Sequence, residues 1–360
     1  MFKQLFHTYA IRLLDFFTRR SIGGSLLGSG IALAVVTLGA DFAFQVSRKN
    51  QGDGWSFAFA SGQGLPQTVT LIFAALAIGL IVIGAVILTT EYRRERRRRL
   101  IVIELRGLHA SPDTPAVDRV LPIFRGERHH LPIDFRPQSQ GERVDPVLIL
   151  ERMSSLTGTL HSLSHGLDKR DVQVAAGGLA AVPALFLTGV LLDDETQVHL
   201  YDWDRNVKDW RAIDAPDDLD RFQLPQGTST TALPRELVVV VEASYAVDQN
   251  DIVATFGAST PVVRLSVATP LADRFNSEQK QQAMVMQFRD KVQGLRTKGV
   301  EKIHLVAAVP SSLGIRMGMA YDKRLHPEIV VYQYERGLPK PYPWGLQMPN
   351  VVSQLQIVKT

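Results

Sequence analysis

The 360-residue sequence predicts an α/β fold in which two Rossmann-like halves stand in tandem behind two N-terminal transmembrane helices. Three observations point there. Ile303–Arg336 (IHLVAAVPSSLGIRMGMAYDKRLHPEIVVYQYER) reads as strand, small-residue loop, helix and strand, which is a βαβ unit. Val172–Arg205 (VQVAAGGLAAVPALFLTGVLLDDETQVHLYDWDR) repeats that succession without a gap, 131 residues earlier. Ile22–Phe44 and Thr68–Thr90 are apolar runs, each long enough for a bilayer, which takes about 20 residues.

In the 131-residue superposition Val172 falls on Ile303, Val174 on Leu305, Val198 on Ile329 and Tyr201 on Tyr332. Trp203 then falls on Tyr334, Asp204 on Glu335 and Arg205 on Arg336. Any two βαβ units share a hydrophobic pattern; the matched ending, aromatic-x-aromatic-acid-Arg, is what argues for duplication. The loops Ala176–Ala181 and Ala307–Ser312 should then face one another across a pseudo-two-fold, at the carboxyl ends of the strands where open parallel sheets hold ligands.

From the N-terminus, Met1–Arg20 places Phe2, Leu5, Phe6, Tyr9, Leu13, Phe16 and Phe17 on one side of a helix, suited to lying in a headgroup layer. Ile22–Phe44 is the first span. Its Gly24 and Gly28 form a small-xxx-small pair that lets two helices approach closely in lipid. Gln45–Pro66 reads as a polar, Gly-rich loop with Trp55, Phe57 and Phe59 for an interface, and Thr68–Thr90 as the second span. Six arginines in Glu91–Arg99, with Arg19 and Arg20 before the first span, put both chain ends in the cytoplasm. Leu100–Glu104 is a strand, Gly107–Val144 an irregular insertion carrying His129 and His130 as solvated residues, and Pro146–Leu167 a helix. After the first βαβ unit, Asp204–Thr231 makes a polar seam. Leu237–Glu242 repeats Leu100–Glu104 as an apolar strand ending in Glu, and Val262–Val267 is another strand. Asn276–Lys298 is a helix with Asn276 as cap and Gln279 closing a capping box, and Ile315–Leu325 is the helix of the second unit. The domains read as an interfacial helix (1–20), a two-helix membrane region (21–91), a first half (92–230) and a second half (231–360).

Composition narrows the function. With no cysteine there is no disulfide, thiolate nucleophile or Cys metal site. Residues 1–100 hold 12 Lys and Arg against 5 Asp and Glu, whereas residues 101–360 hold 28 against 31. The soluble part is therefore near neutral, which speaks against a nucleic-acid polymer as partner, since that affinity scales with neutralised phosphates. There is no Walker A lysine, GxSxG elbow or HExxH. His199 and His304 fall within strands and read as structural. Gly177, Gly178, Ser311 and Ser312 follow a strand and precede a helix, where backbone N–H groups and hydroxyls can approach a phosphate. Trp203 and Tyr334 could stack on bases or pack in the core; Arg205 and Arg336 could meet phosphates or surface acids.

Arg235–Arg336, above all KIHLVAAVPSSLGIRMG followed by HPEIVVYQYER, resembles the second half of a SAVED domain. Two membrane spans ahead of such a domain look like the membrane effectors of CBASS anti-phage systems. The resemblance implies two fused CARF-like halves and a non-enzymatic effector. Its activating ligand would be a cyclic di- or trinucleotide bound between the halves, and no cofactor would be needed. It implies ligand-induced, head-to-tail homo-oligomers that disrupt the bacterial inner membrane and abort infection. It also implies ligand contacts at Arg106, Ser244 and Tyr245 after the first strand of each half, joining Gly177, Gly178, Ser311 and Ser312. The alternative is a membrane-tethered cyclic-oligonucleotide hydrolase using His304 or Ser311.

Overall fold

The computed structural model describes residues 22–38, 42–48, 55–61, 67–107, 114–137, 142–193, 197–223, 233–351 and 353–360. The helix expected at Met1–Arg20 lies outside them. The chain separates into two compact units, Met1–Arg96 and Arg97–Thr360.

The first unit contains helix α1 (Ile22–Leu38), a hairpin of β1 (Phe42–Arg48) and β2 (Trp55–Ser61), and helix α2 (Gln67–Arg97). Among the described residues α2 is the one helix long and apolar enough to cross a membrane. α1 has 17 residues, so at 1.5 Å each it reaches about 26 Å, slightly under the hydrocarbon thickness. The first apolar run thus leaves the helix before Phe44. Phe42, Phe44 and Val46 alternate with small or polar residues, as do Trp55, Phe57 and Phe59, and this period of two favours strands. The expected loop over Gln45–Pro66 is largely this antiparallel hairpin, with Phe44 opposite Phe59 and Val46 opposite Phe57.

α1 runs antiparallel to α2. Gly23 sits beside Ile87 and Leu88, and Gly30 beside Leu80 and Ile81. Gly84 of α2 lies against the backbone of Leu27. The seam between α1 and α2 therefore uses Gly23 and Gly30, one heptad apart. Gly24 is buried, but Gly28 has open space beside it.

The second unit opens with β3 (Arg99–Arg106), a 3₁₀ turn (Ala116–Asp118), β4 (Glu127–Asp134), α3 (Pro146–Ser154), α4 (Leu156–Ser164), β5 (Val172–Leu179), α5 (Val182–Leu191), β6 (Val198–Asp204) and β7 (Asp209–Ala212). It continues with β8 (Glu236–Glu242), α6 (Gln249–Phe256), β9 (Val262–Ser266), α7 (Glu278–Thr297), β10 (Lys302–Ala308), α8 (Ser311–Met319), β11 (Glu328–Gln333), β12 (Trp344–Gln347) and β13 (Gln356–Lys359). One sheet has the order β4-β3-β5-β6-β7; the other has β9-β8-β10-β11-β12, extended by β13. In both, the first three pairings are parallel and the fourth is antiparallel. This identity of order and direction is the tandem read from the two βαβ stretches, carried through five strands.

Several elements differ from the expectation. The insertion after β3 contains β4, parallel to β3. The helix expected over Pro146–Leu167 divides at Ser155, where the hydroxyls of Ser154 and Ser155 donate back to the carbonyls of Glu151 and Arg152. α7 begins after Ser277, whose hydroxyl accepts from Lys280 N, so Ser277 and not Asn276 is the cap. α8 starts at Ser311, four residues ahead of the expected Ile315. The register also slips. Ile303 pairs with Ile329, so the 131-residue offset would set Val172 opposite Val198; Val174 stands there instead. A slip of two preserves which face each side chain takes.

The halves meet where α5 crosses α8. α5 is apolar on every side and is buried from Pro183 to Val190. Phe186 meets Tyr321 at a centroid distance of 6.2 Å, and Leu185, Leu313, Ile315 and Met317 fill the space around them. Gly189 and Gly318 allow the backbones to touch. A Cβ on Gly189 would overlap the carbonyl oxygen of Ile315, and one on Gly318 would overlap that of Phe186. Gly318→Ala should therefore force the helices apart and lower the stability of the second unit by about 1–3 kcal/mol, the usual cost of overpacking. Gly28→Ala, with open space beside it, should leave stability within about 0.5 kcal/mol. Denaturant titration of the detergent-solubilised chain distinguishes the two.

Candidate functional site

Parallel strands leave a crevice beyond their carboxyl ends, and here the two crevices join into one cleft with two lobes. The first lobe, about 160 Å³, is bounded by the end of β5 and the start of α5 (Leu179, Ala180, Val182), the end of β6 (Asp202–Arg205), Arg211, and the segment leading to α7 (Asp273, Asn276). The second, about 510 Å³, lies at the ends of β10 and β11 beside the start of α6. Val182, Tyr245 and Val309 border both lobes. Tyr245 is more than half exposed and stands at the division.

A buried glutamate at the end of each first strand fixes the loop that follows. Glu104 of β3 accepts from Arg106 Nε at 2.7 Å and Ala116 N at 2.8 Å, and pairs with His130 Nε2 at 2.9 Å. Glu242 of β8 accepts from Val247 N and Arg264, both at 2.7 Å, and from the Ser266 hydroxyl. The partners correspond. Glu104 is opposite Pro132 and Glu242 opposite Ser266, so His130 and Arg264 each stand two residues earlier on the edge strand. The expectation of a solvated His130 is corrected by this pair.

The two helix N-termini at the cleft are capped from the opposite half. Ser312 N donates to Asp202 Oδ1 at 2.8 Å, and the Ser312 hydroxyl donates to the other oxygen of Asp202. Reciprocally, Val182 N donates to Gln333 Oε1 at 3.1 Å. Asp202 and Gln333 correspond in the 131-residue offset. The N–H groups that the sequence reserves for phosphate are thus partly engaged by protein acceptors. Burial raises the Asp202 carboxyl above its ordinary value, and the Ser312 hydroxyl and N–H pull it back.

Of the expected site residues, Trp203, Ser244, Tyr245 and Ser311 line the first lobe, with Arg205 beside them; Tyr245 and Tyr334 line the second. Trp203 also meets Trp210 edge-on at 5.1 Å. The other expected contacts stand elsewhere. Gly177 and Gly178 lie within β5, where a Cβ would strike Tyr201 and Leu105 respectively; Gly178 has φ +144°, which favours glycine. Their smallness serves sheet packing and not a loop. Ser312 is fully buried against Asp202 and Gln281. Arg106 is held on Glu104, and the exposed Arg336 lines neither lobe. Asp202, Arg211, Asn276, Asp251, Tyr332 and Tyr342 complete the cleft without having been singled out. Tyr332 and Asp202 had a sequence signal, both lying in the repeated strand ending, Tyr332 as its first aromatic and Asp202 as the neighbour of Trp203. His304 sits near the start of β10, with Nδ1 3.0 Å from the Tyr332 hydroxyl and Nε2 3.3 Å from Glu236; burial lowers its pKa. Among the described residues no three His, Asp or Glu side chains are grouped to hold a metal.

Comparisons with known proteins follow this division of the chain. Residues 158–348 match the family described as the SMODS-associated and fused to various effectors sensor domain (SAVED). Residues 3–150 match the SAVED-fused 2TM effector domain. No curated protein matches. Among solved structures, the Acinetobacter baumannii Cap4 SAVED/CARF-domain containing receptor, in structures with the cyclic trinucleotides 2'3'3'-cAAA and 3'3'3'-cAAA, is 13% identical over 79% of this chain, at a TM-score of 0.47. The Moraxella osloensis Cap4 receptor is 12% identical over 79% of this chain, at a TM-score of 0.44. The chain spans about 60% of the length of these receptors. The boundary between the two family matches falls just before α4, so β3 and β4 belong to the effector match by sequence yet to the sensor's first sheet by pairing.

The Asp202 bridge carries a pH signature. A carboxyl whose pKa is raised on folding stabilises the fold relative to an uncharged analogue at pH below its unfolded value of 3.8, and loses that contribution as pH rises through the folded value. The stability of the native chain minus that of Asp202→Asn should fall as pH climbs from 4 into the neutral range. Asp202→Ala, which leaves Ser312 N without its acceptor, should cost about 1–3 kcal/mol. Both are read by denaturant titration across pH.

Proposed function

The chain belongs to the SAVED sensor family, joined to a two-helix membrane effector domain, and from this premise we propose that it is a ligand-gated membrane effector. A cyclic di- or trinucleotide binds the two-lobed cleft, the sensor units then pack head to tail, and the clustered hydrophobic helices breach the bacterial inner membrane, aborting phage infection. The observation that supports this most is the cleft itself. It joins the carboxyl-end crevices of both halves, offers Trp203, Tyr245 and Tyr334 to bases, and carries Arg205 and Arg211 in one lobe for phosphates. A cyclic ligand that reaches both lobes touches both halves at once.

The physical logic is coupling through assembly. A heterologous contact that does not close generates chains of copies. A ligand drives that assembly only by its differential affinity for the packed state. Copies held side by side in the cytosol raise the effective concentration of their membrane helices. α2 exposes Leu71, Ile72, Leu76, Ile78, Val82, Ile83 and Val86, an apolar surface suited to lipid or to neighbouring helices. Its last turns carry the arginine run, so the proposed topology keeps both ends in the cytoplasm. We read the protein as a receptor and not a catalyst. Ser311 lines the first lobe, but among the described residues no histidine lines either lobe, and His304 is held by Tyr332 and Glu236.

Titrating the detergent-solubilised chain calorimetrically with a panel of cyclic di- and trinucleotides tests the reading. One ligand should bind and return chemically unchanged on chromatography; turnover would instead establish the hydrolase. Tyr245→Ala, which removes the ring shared by both lobes, should weaken that ligand about 5- to 100-fold, on a stacking contribution of about 1–3 kcal/mol. Gly28→Leu, bulky where the helix surface is open, should abolish ligand-dependent killing of expressing cells while the calorimetric affinity stays unchanged. Killing that survives Gly28→Leu would remove this face of α1 from the effector surface.

A further inference from the structure

The second lobe differs chemically from the first. Arg205 and Arg211 border the first lobe, whereas among the described residues no lysine or arginine lines the second. Four tyrosines line it: Tyr245, Tyr332, Tyr334 and Tyr342. Tyr334 and Tyr342 lie 5.4 Å apart between centroids, and Tyr334 is 46% exposed. The nearby Arg264 is engaged by Glu242, the Val247 carbonyl and Gln249, so a phosphate has little counter-charge there, but a flat base has several faces to meet.

The polar groups of this lobe can be told apart by their engagements. Both ends of the Gln333 amide are engaged, the oxygen accepting from Val182 N and the nitrogen donating to the Tyr334 carbonyl at 2.9 Å. The Tyr332 hydroxyl contacts His304. Asp248 caps α6, accepting from Asn250 N at 2.8 Å. Asp251, three residues after Asp248 and half-buried, has no hydrogen-bond or ion-pair partner for its carboxylate among the described residues. Burial raises the pKa of the Tyr342 hydroxyl, and the charge of Asp251 adds to the rise against an opposing contribution from Arg264, which places the carboxylate near that ring.

An ionised carboxylate is an acceptor with two oxygens, so it is matched by a base edge with two adjacent donors. Guanine has one: N1–H beside N2–H₂. Adenine sets N6–H₂ beside the acceptor N1, cytosine sets N4–H₂ beside the acceptor N3, and uracil flanks its one N–H with two carbonyls. Resting on the reading of the cleft as a cyclic-nucleotide site, we propose that the second lobe receives a guanine base, stacked among Tyr245, Tyr334 and Tyr342, with its N1–H and N2–H₂ edge on the Asp251 carboxylate. The activating ligand then contains at least one guanosine, and its phosphates face the arginine-bearing lobe.

The test uses the full chain in detergent, titrated with matched cyclic di- and trinucleotides that contain guanine or only adenine. The guanine-containing ligand of a pair should bind about 10- to 100-fold more tightly, the discrimination expected of one bidentate base contact. Asp251→Asn should remove most of that preference while leaving the adenine-only ligand and the melting temperature unchanged. Equal binding of both members of each pair, unaffected by Asp251→Asn, overturns the guanine assignment and leaves the sensor reading standing. A guanine preference that survives Asp251→Asn overturns the role of Asp251. Binding of no cyclic nucleotide at all overturns the sensor reading and this inference with it.

Discussion

The sensor is organised around one backbone contact, the crossing of α5 and α8 at Gly189 and Gly318. Each glycine faces the main chain of the other helix, so no side chain separates the two halves there. That closeness brings the N-terminus of each helix to the strand ends of the opposite half. Asp202 can then accept from Ser312, and Gln333 from Val182. The same closeness merges two crevices, each ordinary for a parallel sheet, into one cleft bordered by Val182, Tyr245 and Val309.

The reciprocal caps also give the cleft its chemical character. A helix N-terminus is an anion site when its N–H groups are free. At α8 the position nearest such an anion is already held by a protein carboxylate, so positive charge in the first lobe falls to Arg205 and Arg211. Arg211 is itself 3.3 Å from Asp204, which leaves the lobe moderately and not strongly cationic. The buried glutamates Glu104 and Glu242 act one level below, pinning the loops after β3 and β8 from the same register position in both halves.

Much of the architecture was legible from local patterns. The two βαβ stretches, the paired apolar strands ending in Glu and the second hydrophobic run are properties of short windows, and each survives in the structure; the first run keeps its helix only to Leu38. The strand-order match extends the duplication to β4 and β9, although β4 hides in a segment whose Pro, His and Arg content masks its pattern. It qualifies as a strand because β3 offers it a full parallel ladder, from Arg99 opposite Glu127 to Arg106 opposite Asp134. The hairpin between the membrane helices was missed for the opposite reason: its alternating aromatics were read as interface anchors and not as a period of two.

The glycines show most directly where sequence and structure part. From spacing alone, Gly177, Gly178, Gly24 and Gly28 promised close approach, by phosphate in one case and by a second helix in the other. Smallness was correctly read, since it is a property of the residue. For Gly177 and Gly178 its beneficiary was not, because that depends on which atoms the fold brings within a Cβ radius: Tyr201 and Leu105 there, and the facing helices for Gly189 and Gly318, whereas Gly28 faces open space within the chain. The sequence by itself determined the long apolar helix α2, the doubled α/β unit and four residues that line the cleft's first lobe, Trp203, Ser244, Tyr245 and Ser311. Only the tertiary structure decided that Asp202 and Gln333 cap the opposite half and that Tyr342 and Asp251 join the cleft. Those contacts are set by the crossing of α5 and α8, between residues far apart in the chain, and no local pattern encodes such a crossing.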